Sequence, residues 1–142
     1  PGLAVTGIDF HIGSQITELA PYRDAMRKLL ALVDALAADG IETACIVRDL
    51  EQWGAVSFSA HDLMERTFEW IRECDFLVVD ISEKGVGVGI EAGYAHALGK
   101  PVWVIARQGS DIPETLRGIA KGVSVYPDTE ALGLVFEGLA AL

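Results

Sequence analysis

The sequence is poor in cysteine, in histidine and in positive charge. Cys45 and Cys74 are its two cysteines and it has three histidines among 142 residues, too few and too widely spaced for a disulfide framework or a metal site. We therefore expect two buried thiols and no bound metal. The chain has 11 lysines and arginines and 21 aspartates and glutamates, which give it a formal charge of −10. Because this charge repels phosphates, we expect no nucleic acid polymer as a partner.

Long apolar runs are also missing. No run approaches the ~18 residues that a membrane helix needs, and the acidic Asp9 and Asp24 do not fit a signal peptide. We therefore expect no membrane partner and a cytoplasmic location. Apolar residues make up 51% of the chain and charged residues 23%, which excludes disorder as the main state. At this length, a single domain over residues 1–142 is expected.

Apolar periodicity predicts strands that alternate with helices. Short apolar runs predict strands over residues 4–12, 41–47, 76–81, 101–106 and 123–126. Recurrence every three or four positions predicts a helix over residues 21–38 and others that begin near Ser59, Ile90, Pro113 and Asp128. This alternation is typical of an α/β fold with three αβα layers and a parallel sheet. We expect the flavodoxin-like five-stranded order 2-1-3-4-5.

Four residues are expected to mark helix ends. Ser59 is a predicted N-cap with Asp62 as its partner. Gly40 and Gly99 are predicted to end helices, because glycine tolerates the left-handed conformation found there.

Chemistry is expected beyond the carboxyl ends of the strands, between the first and third strands. Asp80 ends the third strand, and Glu91 is predicted in the first turn of the helix after the glycine-rich turn. Free amides and the helix dipole there would keep Glu91 ionised as a nucleophile or base. A second carboxyl could then act as the acid, a pair that cleaves glycosidic bonds. From spacing alone, a solvated Glu91 and a structural Asp80 are the simpler interpretation.

Most of the chain, residues 47–126, resembles the nucleoside 2-deoxyribosyltransferase superfamily, which includes deoxynucleoside-monophosphate N-glycosidases. The resemblance rests on residues 75–80 (DFLVVD), 85–95 (GVGVGIEAGYA) and 98–102 (LGKPV). It implies that Glu91 attacks the anomeric carbon and that Asp80 assists the leaving base. It also implies a flavodoxin-like fold and a homodimer in which the neighbour completes the pocket.

The expected ligand is a deoxynucleoside or nucleotide, or a simple phosphate or sulfate. Two loops near the carboxylates are expected to contact it, since glycines let a ligand approach the backbone and offer amides to a phosphate. The residues expected to bind are Gly13, Ser14, Ser82, Gly85, Gly87 and Gly89.

The first forty or so residues resemble a different family, diaminopimelate decarboxylase, a pyridoxal-phosphate enzyme with a barrel fold. The resemblance rests on residues 7–16 (GIDFHIGSQI) and 21–25 (PYRDA). It implies that His11 lies near the cofactor ring and Ser14 near its phosphate. Because the segment is one βα unit without the Schiff-base lysine, we expect no cofactor.

Two resemblances in one chain predict a chimera, with a barrel-derived unit over residues 1–42 and a transferase-like remainder over residues 43–142. Since the chain starts at Pro1, an engineered origin is favoured over a natural fusion. Three functions stay open. We favour a scaffold without efficient activity, and hence no enzyme; the alternatives are an N-glycosidase or deoxyribosyltransferase that uses Glu91, and a nucleotide-binding module without turnover.

Overall fold

The computed structural model describes residues 8–10, 38, 40–82, 85–128, 131, 132 and 134. The strands in this part are β1 (Ile8–Phe10), β2 (Leu77–Asp80), β3 (Val102–Arg107) and β4 (Gly122–Tyr126). The α-helices are α1 (Ala60–Glu73), α2 (Val86–Ala97) and α3 (Glu114–Ile119). The helix predicted over residues 21–38 lies outside the described residues except for Ala38, which is helical.

The strands form one parallel sheet in the order β1-β2-β3-β4. Phe10 pairs with Asp80, and Asp80 pairs with Ile105 on its other side. The carboxyl ends of the strands therefore meet at one edge. The predicted α/β fold with a parallel sheet is confirmed, and four of the predicted strands form where short apolar runs predict them.

The strand predicted over residues 41–47 is wrong. Residues 41–45 have no regular secondary structure, and Ile46–Leu50 forms a π-helix that lies beside β1. Local contacts replace strand pairing here: the Asp49 carboxylate accepts from the backbone N–H of Cys45 at 2.8 Å, and Arg48 donates to the carbonyl of Thr43 at 2.7 Å. Such contacts compete with sheet formation. The described sheet therefore has four strands, and the five-stranded order 2-1-3-4-5 is not observed.

Both faces of the sheet are covered, as the continuous apolar run of β2 predicts. Alternate strand residues point to opposite faces. Helices α1, α2 and α3 cover one face, where the core contains Ile71, Leu77, Val79, Val88, Ala92, Val104 and Leu116. On the other face the core contains Ile41, Cys45, Phe76, Val78, Ile105, Tyr126 and Leu132.

The helix ends predicted at Ser59 and Gly99 are confirmed. Ser59 caps α1, where its Oγ accepts from the backbone N–H of Asp62 at 3.1 Å. Gly40 and Gly99 have φ angles of 77° and 74°, the left-handed conformation that glycine adopts readily. Pro113 directly precedes α3, and Asp128 Oδ1 accepts from the backbone N–H of Ala131 at 2.9 Å.

Cys45 and Cys74 are both buried and are not joined in a disulfide, as predicted. Within the described residues, no group of three or more histidine, cysteine, aspartate or glutamate side chains could hold a metal ion. None of the helices described is both long enough and apolar enough to span a bilayer.

Candidate functional site

The helix that carries Glu91 begins earlier than predicted. It starts at Val86, and Gly85 precedes it with an extended backbone (φ −141°, ψ 136°). Gly87 and Gly89 therefore lie inside α2, and Glu91 lies in its second turn. The predicted first-turn position is therefore wrong, whereas stabilisation of the ionised Glu91 by the start of the helix stays a prediction. Burial of Val88 against the sheet holds the glycine-rich segment in helical form.

Glu91 lies on the buried side of α2, and only 7% of it is exposed. A Cβ added to Gly87 would come to 3.9 Å from Glu91 Oε1, whereas one added to Gly89 would meet no atom within 4 Å. The missing side chains thus leave space next to the Glu91 carboxylate and on the outer side of the helix. A carboxylate held in this way can act as a nucleophile on a small ligand.

Asp80 ends β2 and is 3% exposed. Its Oδ1 accepts from the backbone N–H of Ser82 at 2.8 Å and from the Ser82 hydroxyl at 2.5 Å. Its Oδ2 accepts from the Tyr126 hydroxyl at 2.6 Å. Short hydrogen bonds to a carboxylate are among the stronger ones in proteins, so three donors of the chain hold Asp80 in place.

Ser82 connects the ends of three strands. Besides contacting Asp80 of β2, its Oγ accepts from the backbone N–H of Arg107, the last residue of β3, at 2.8 Å. The same Oγ lies 3.0 Å from the Tyr126 hydroxyl at the end of β4. Its carbonyl accepts from the Ser110 hydroxyl at 3.4 Å. The hydroxyl predicted to bind a ligand is therefore engaged within the protein.

Tyr126 is buried, with 6% exposed. Burial and the hydrogen bond to Asp80 raise the pKa of Tyr126 to about 12, although the contact with Ser82 and the charge of Arg107 oppose this increase. The phenol therefore stays protonated at neutral pH and donates a hydrogen bond to the Asp80 carboxylate.

The structure brings Asp80 and Ser82 together and places Gly87 next to Glu91. Asp80 bonds to Tyr126, which belongs to the core on the face opposite α2. Glu91 lies on the side of α2 that packs on the first face. The two carboxylates therefore approach the carboxyl edge from opposite faces, and their joint action stays a prediction. Gly13, Ser14 and His11 lie outside the described residues.

Tyr126 and Ser110 belong to the same network, although neither was predicted as a site residue from the sequence. One signal was present in the sequence. Tyr126 ends a predicted strand, as Asp80 does, and parallel strands bring their carboxyl ends to one edge. A buried phenol at that edge needs a hydrogen-bond partner.

Comparison with known sequences finds two kinds of relative. A model of the pyridoxal-dependent decarboxylase, pyridoxal binding domain, matches residues 1–48. Diaminopimelate decarboxylase of Vibrio cholerae is 48% identical over 62 residues, which cover 44% of this chain and 14% of that protein. On another segment, 5-hydroxymethyl-dUMP N-hydrolase of Mus musculus is 38% identical over 60 residues, or 41% of this chain and 35% of that protein. Both resemblances are thus confirmed, as a chimera predicts, and the chain spans about a seventh of the decarboxylase and about a third of the N-hydrolase.

Known structures resemble nearly the whole chain. A CMP N-glycosidase of Clostridium botulinum has a TM-score of 0.65 at 15% identity, with 93% of this chain and 98% of that chain covered. A 2-deoxyribosyltransferase of Bacillus psychrosaccharolyticus has a TM-score of 0.66 at 15% identity, with 92% and 90% covered. At this identity the similarity establishes the fold alone.

Pyridoxal phosphate does not fit what the structure describes. The strand that matches the decarboxylases, β1, pairs with β2 in a sheet whose described strands run in the order β1-β2-β3-β4 and do not close into a ring, whereas the decarboxylase resemblance implies a closed barrel.

Proposed function

We propose that the chain is a single-domain chimeric scaffold that retains the nucleophilic carboxylate of a deoxynucleoside N-glycosidase but lacks efficient turnover. The pairing of β1 with β2 carries this proposal. β1 lies in the decarboxylase-like segment, and its Phe10 pairs with Asp80 of the transferase-like segment. One side of the site is therefore formed by the segment that resembles diaminopimelate decarboxylase, a different enzyme. For this reason recognition of the nucleoside base is impaired. A flavodoxin-like sheet suits both segments of the chimera, because β1 of one and β2 of the other pair in parallel.

Glu91 is the nucleophile in this proposal. Its carboxylate attacks C1′ of the deoxyribose, and the C1′–N bond breaks with its electron pair leaving on the base. The base takes up a proton from water, and a second water then cleaves the ester bond between Glu91 and C1′, which adds a hydroxyl to C1′, releases a proton to solvent and restores the carboxylate. The burial of Glu91 and the space next to Gly87 support this role. Asp80 transfers no proton in this proposal, because Ser82 and Tyr126 already donate to both of its oxygens.

The substrate class is a deoxynucleoside or its 5′-monophosphate, since a relative that matches one segment is named an N-hydrolase of such a nucleotide. We place the phosphate at the start of α2, where Gly85 lies next to backbone amides that have no partner within the helix, and where the missing side chain of Gly89 leaves the helix surface open to the ligand. We also assign phosphate contacts to Gly13 and Ser14, which lie outside the described residues.

A homodimer is part of the proposal. On the outer side of α2, Val86 is 83% exposed and Ile90 is 47% exposed. Gly89 and Gly93 on the same helix have no atom within 4 Å of an added Cβ. A second copy can therefore approach this side of α2 closely, next to the turn that carries Glu91.

Base release from deoxynucleosides and their monophosphates tests the proposal. We expect slow, measurable release by the unmodified chain, loss of release in Glu91→Gln and Glu91→Ala, and a ligand-dependent increase in Tm in all three. Glu65→Gln, at an exposed position of α1, is the control and should leave release unchanged.

Three results would contradict the proposal. Turnover near the ~10 s⁻¹ of typical enzymes would show an efficient enzyme. Release that persists in Glu91→Gln would remove Glu91 from the chemistry. Neither release nor an increase in Tm would show that the site was not retained.

A further inference from the structure

We propose that Asp80, Ser82 and Tyr126 form a positioning unit that fixes the start of α2, and with it Glu91, and that none of the three touches the substrate. This inference rests on the proposed role of Glu91. It replaces the role that the resemblance implies for Asp80, assistance to the leaving base, with an indirect one.

The hydroxyl protons of Ser82 and Tyr126 determine what holds this network of three side chains together. The Tyr126 hydroxyl has one proton, which points to Asp80 Oδ2 at 2.6 Å. The Ser82 hydroxyl also has one proton, and its shortest contact is with Asp80 Oδ1 at 2.5 Å. No proton is left for the 3.0 Å contact between the two hydroxyl oxygens. The Asp80 carboxylate therefore holds both hydroxyls.

The same contacts argue against Asp80 as a group that touches the substrate. Its two oxygens accept three hydrogen bonds from Ser82 and Tyr126, and only 3% of the residue is exposed. Both oxygens are therefore directed at groups of the protein and not at a leaving base.

Ser82 transmits this constraint to α2. Its backbone N–H is bound by Asp80, its Oγ by the N–H of Arg107 and its carbonyl by Ser110. Ser82 lies three residues before Gly85, which is the N-cap residue of α2. Fixing Ser82 therefore limits where the first turn of α2 can lie, and the second turn carries Glu91.

Hydrogen exchange gives a test that needs no activity. We expect Tyr126→Phe and Asp80→Asn each to increase exchange of the backbone amides of residues 85–91 about tenfold, the effect of losing one hydrogen bond to a charged group. Ser82→Ala should do the same, which covers the case that one variant fails to fold. Ser124→Ala, on the same strand as Tyr126, is the control and should leave exchange unchanged. Equal exchange in all variants would overturn the positioning role, whether or not the protein releases base.

Kinetics separate positioning from chemistry. We expect kcat for base release to fall about tenfold in Tyr126→Phe and in Asp80→Asn, with no further fall in the double variant, because the residues act as one unit. The pH profile should keep its shape. A loss of about a thousandfold in Asp80→Asn with a missing limb of the pH profile, and little effect of Tyr126→Phe, would instead show a general acid or base and overturn the inference. If the unmodified chain releases no base, the proposed function fails, and the exchange measurement still decides this inference.

Discussion

The indole ring of Trp103 lies directly over the backbone of Gly122 in the neighbouring strand. The two residues are register partners between β3 and β4, and a Cβ added to Gly122 would come to 2.1 Å from Cζ3 and 2.5 Å from Cε3 of Trp103. Trp103 also packs against the core on this face. Glycine at position 122 therefore lets the ring lie over the neighbouring strand, where a side chain would collide with it.

Gly122→Ala should destabilise the protein. The added methyl would displace the Trp103 ring from the core, and overpacking of this kind costs about 1–3 kcal/mol. Urea unfolding measures the effect. Gly118→Ala is the matched control, because Gly118 lies in α3 and an added Cβ there meets no atom within 4 Å. It should be neutral or stabilise by about 0.4–1 kcal/mol; equal effects of the two substitutions would contradict the packing argument.

Ser59→Ala should remove the cap of α1. The Ser59 hydroxyl accepts from the backbone N–H of Asp62 and also donates to its carboxylate at 2.8 Å. Loss of such a cap costs about 1 kcal/mol, which a lower midpoint of urea unfolding would show. Ser57→Ala, at an exposed position before the helix, should have no effect. The capping role would be refuted by a Ser59→Ala variant as stable as Ser57→Ala.

Lys100→Met should weaken the other end of α1. The ammonium of Lys100 donates to the carbonyl of Arg72 at 2.9 Å and to that of Cys74 at 2.5 Å. A cation at a helix C-terminus satisfies carbonyls that lack a partner in the helix and interacts favourably with the dipole, so we expect a loss of about 1–2 kcal/mol. Lys121→Met, which removes the same charge from an exposed position, is the control in thermal unfolding. Identical Tm values for the two variants would argue against this cap.

The sequence predicts most of this fold because several elements have strong local signals. The amphipathic stripe of α1 begins at a capping serine, and Gly99 follows α2 with the positive φ that its position requires. The continuous apolar run of β2 correctly indicates burial on both faces. In each case the residues that decide the structure are close together in the chain.

Two regions differ from prediction because specific side-chain contacts, and not the apolar pattern, determine their structure. At residues 41–47 the side chains of Arg48 and Asp49 bind the backbone and replace a strand. In the site, the hydroxyl of Tyr126 reaches Asp80 across 46 residues of sequence. Periodicity carries no information on such a contact, so the sequence predicted Asp80 as a site residue but not its partner.

The pH dependence of stability should report the burial of Tyr126 and its bond to Asp80. Burial and this bond raise the pKa of Tyr126 from 10.0 to about 12 in the folded state. Between these values the native state keeps a proton that the unfolded chain has lost, so stability decreases as pH rises. The contribution of Tyr126 is fully present below pH 10 and is lost as pH rises through about 12.

Unfolding free energies of the unmodified chain and of Tyr126→Phe, measured over this range, check the effect. The difference between them should be constant below pH 10 and should shrink between pH 10 and about 12, because phenylalanine has no proton to lose. Ser124→Ala, which removes a hydroxyl from the same strand without removing a phenol, should differ from the unmodified chain by the same amount at every pH. A difference for Tyr126→Phe that stays constant to the upper end of the range would mean that the phenol loses its proton equally easily in the folded and unfolded states, and that Asp80 does not hold it.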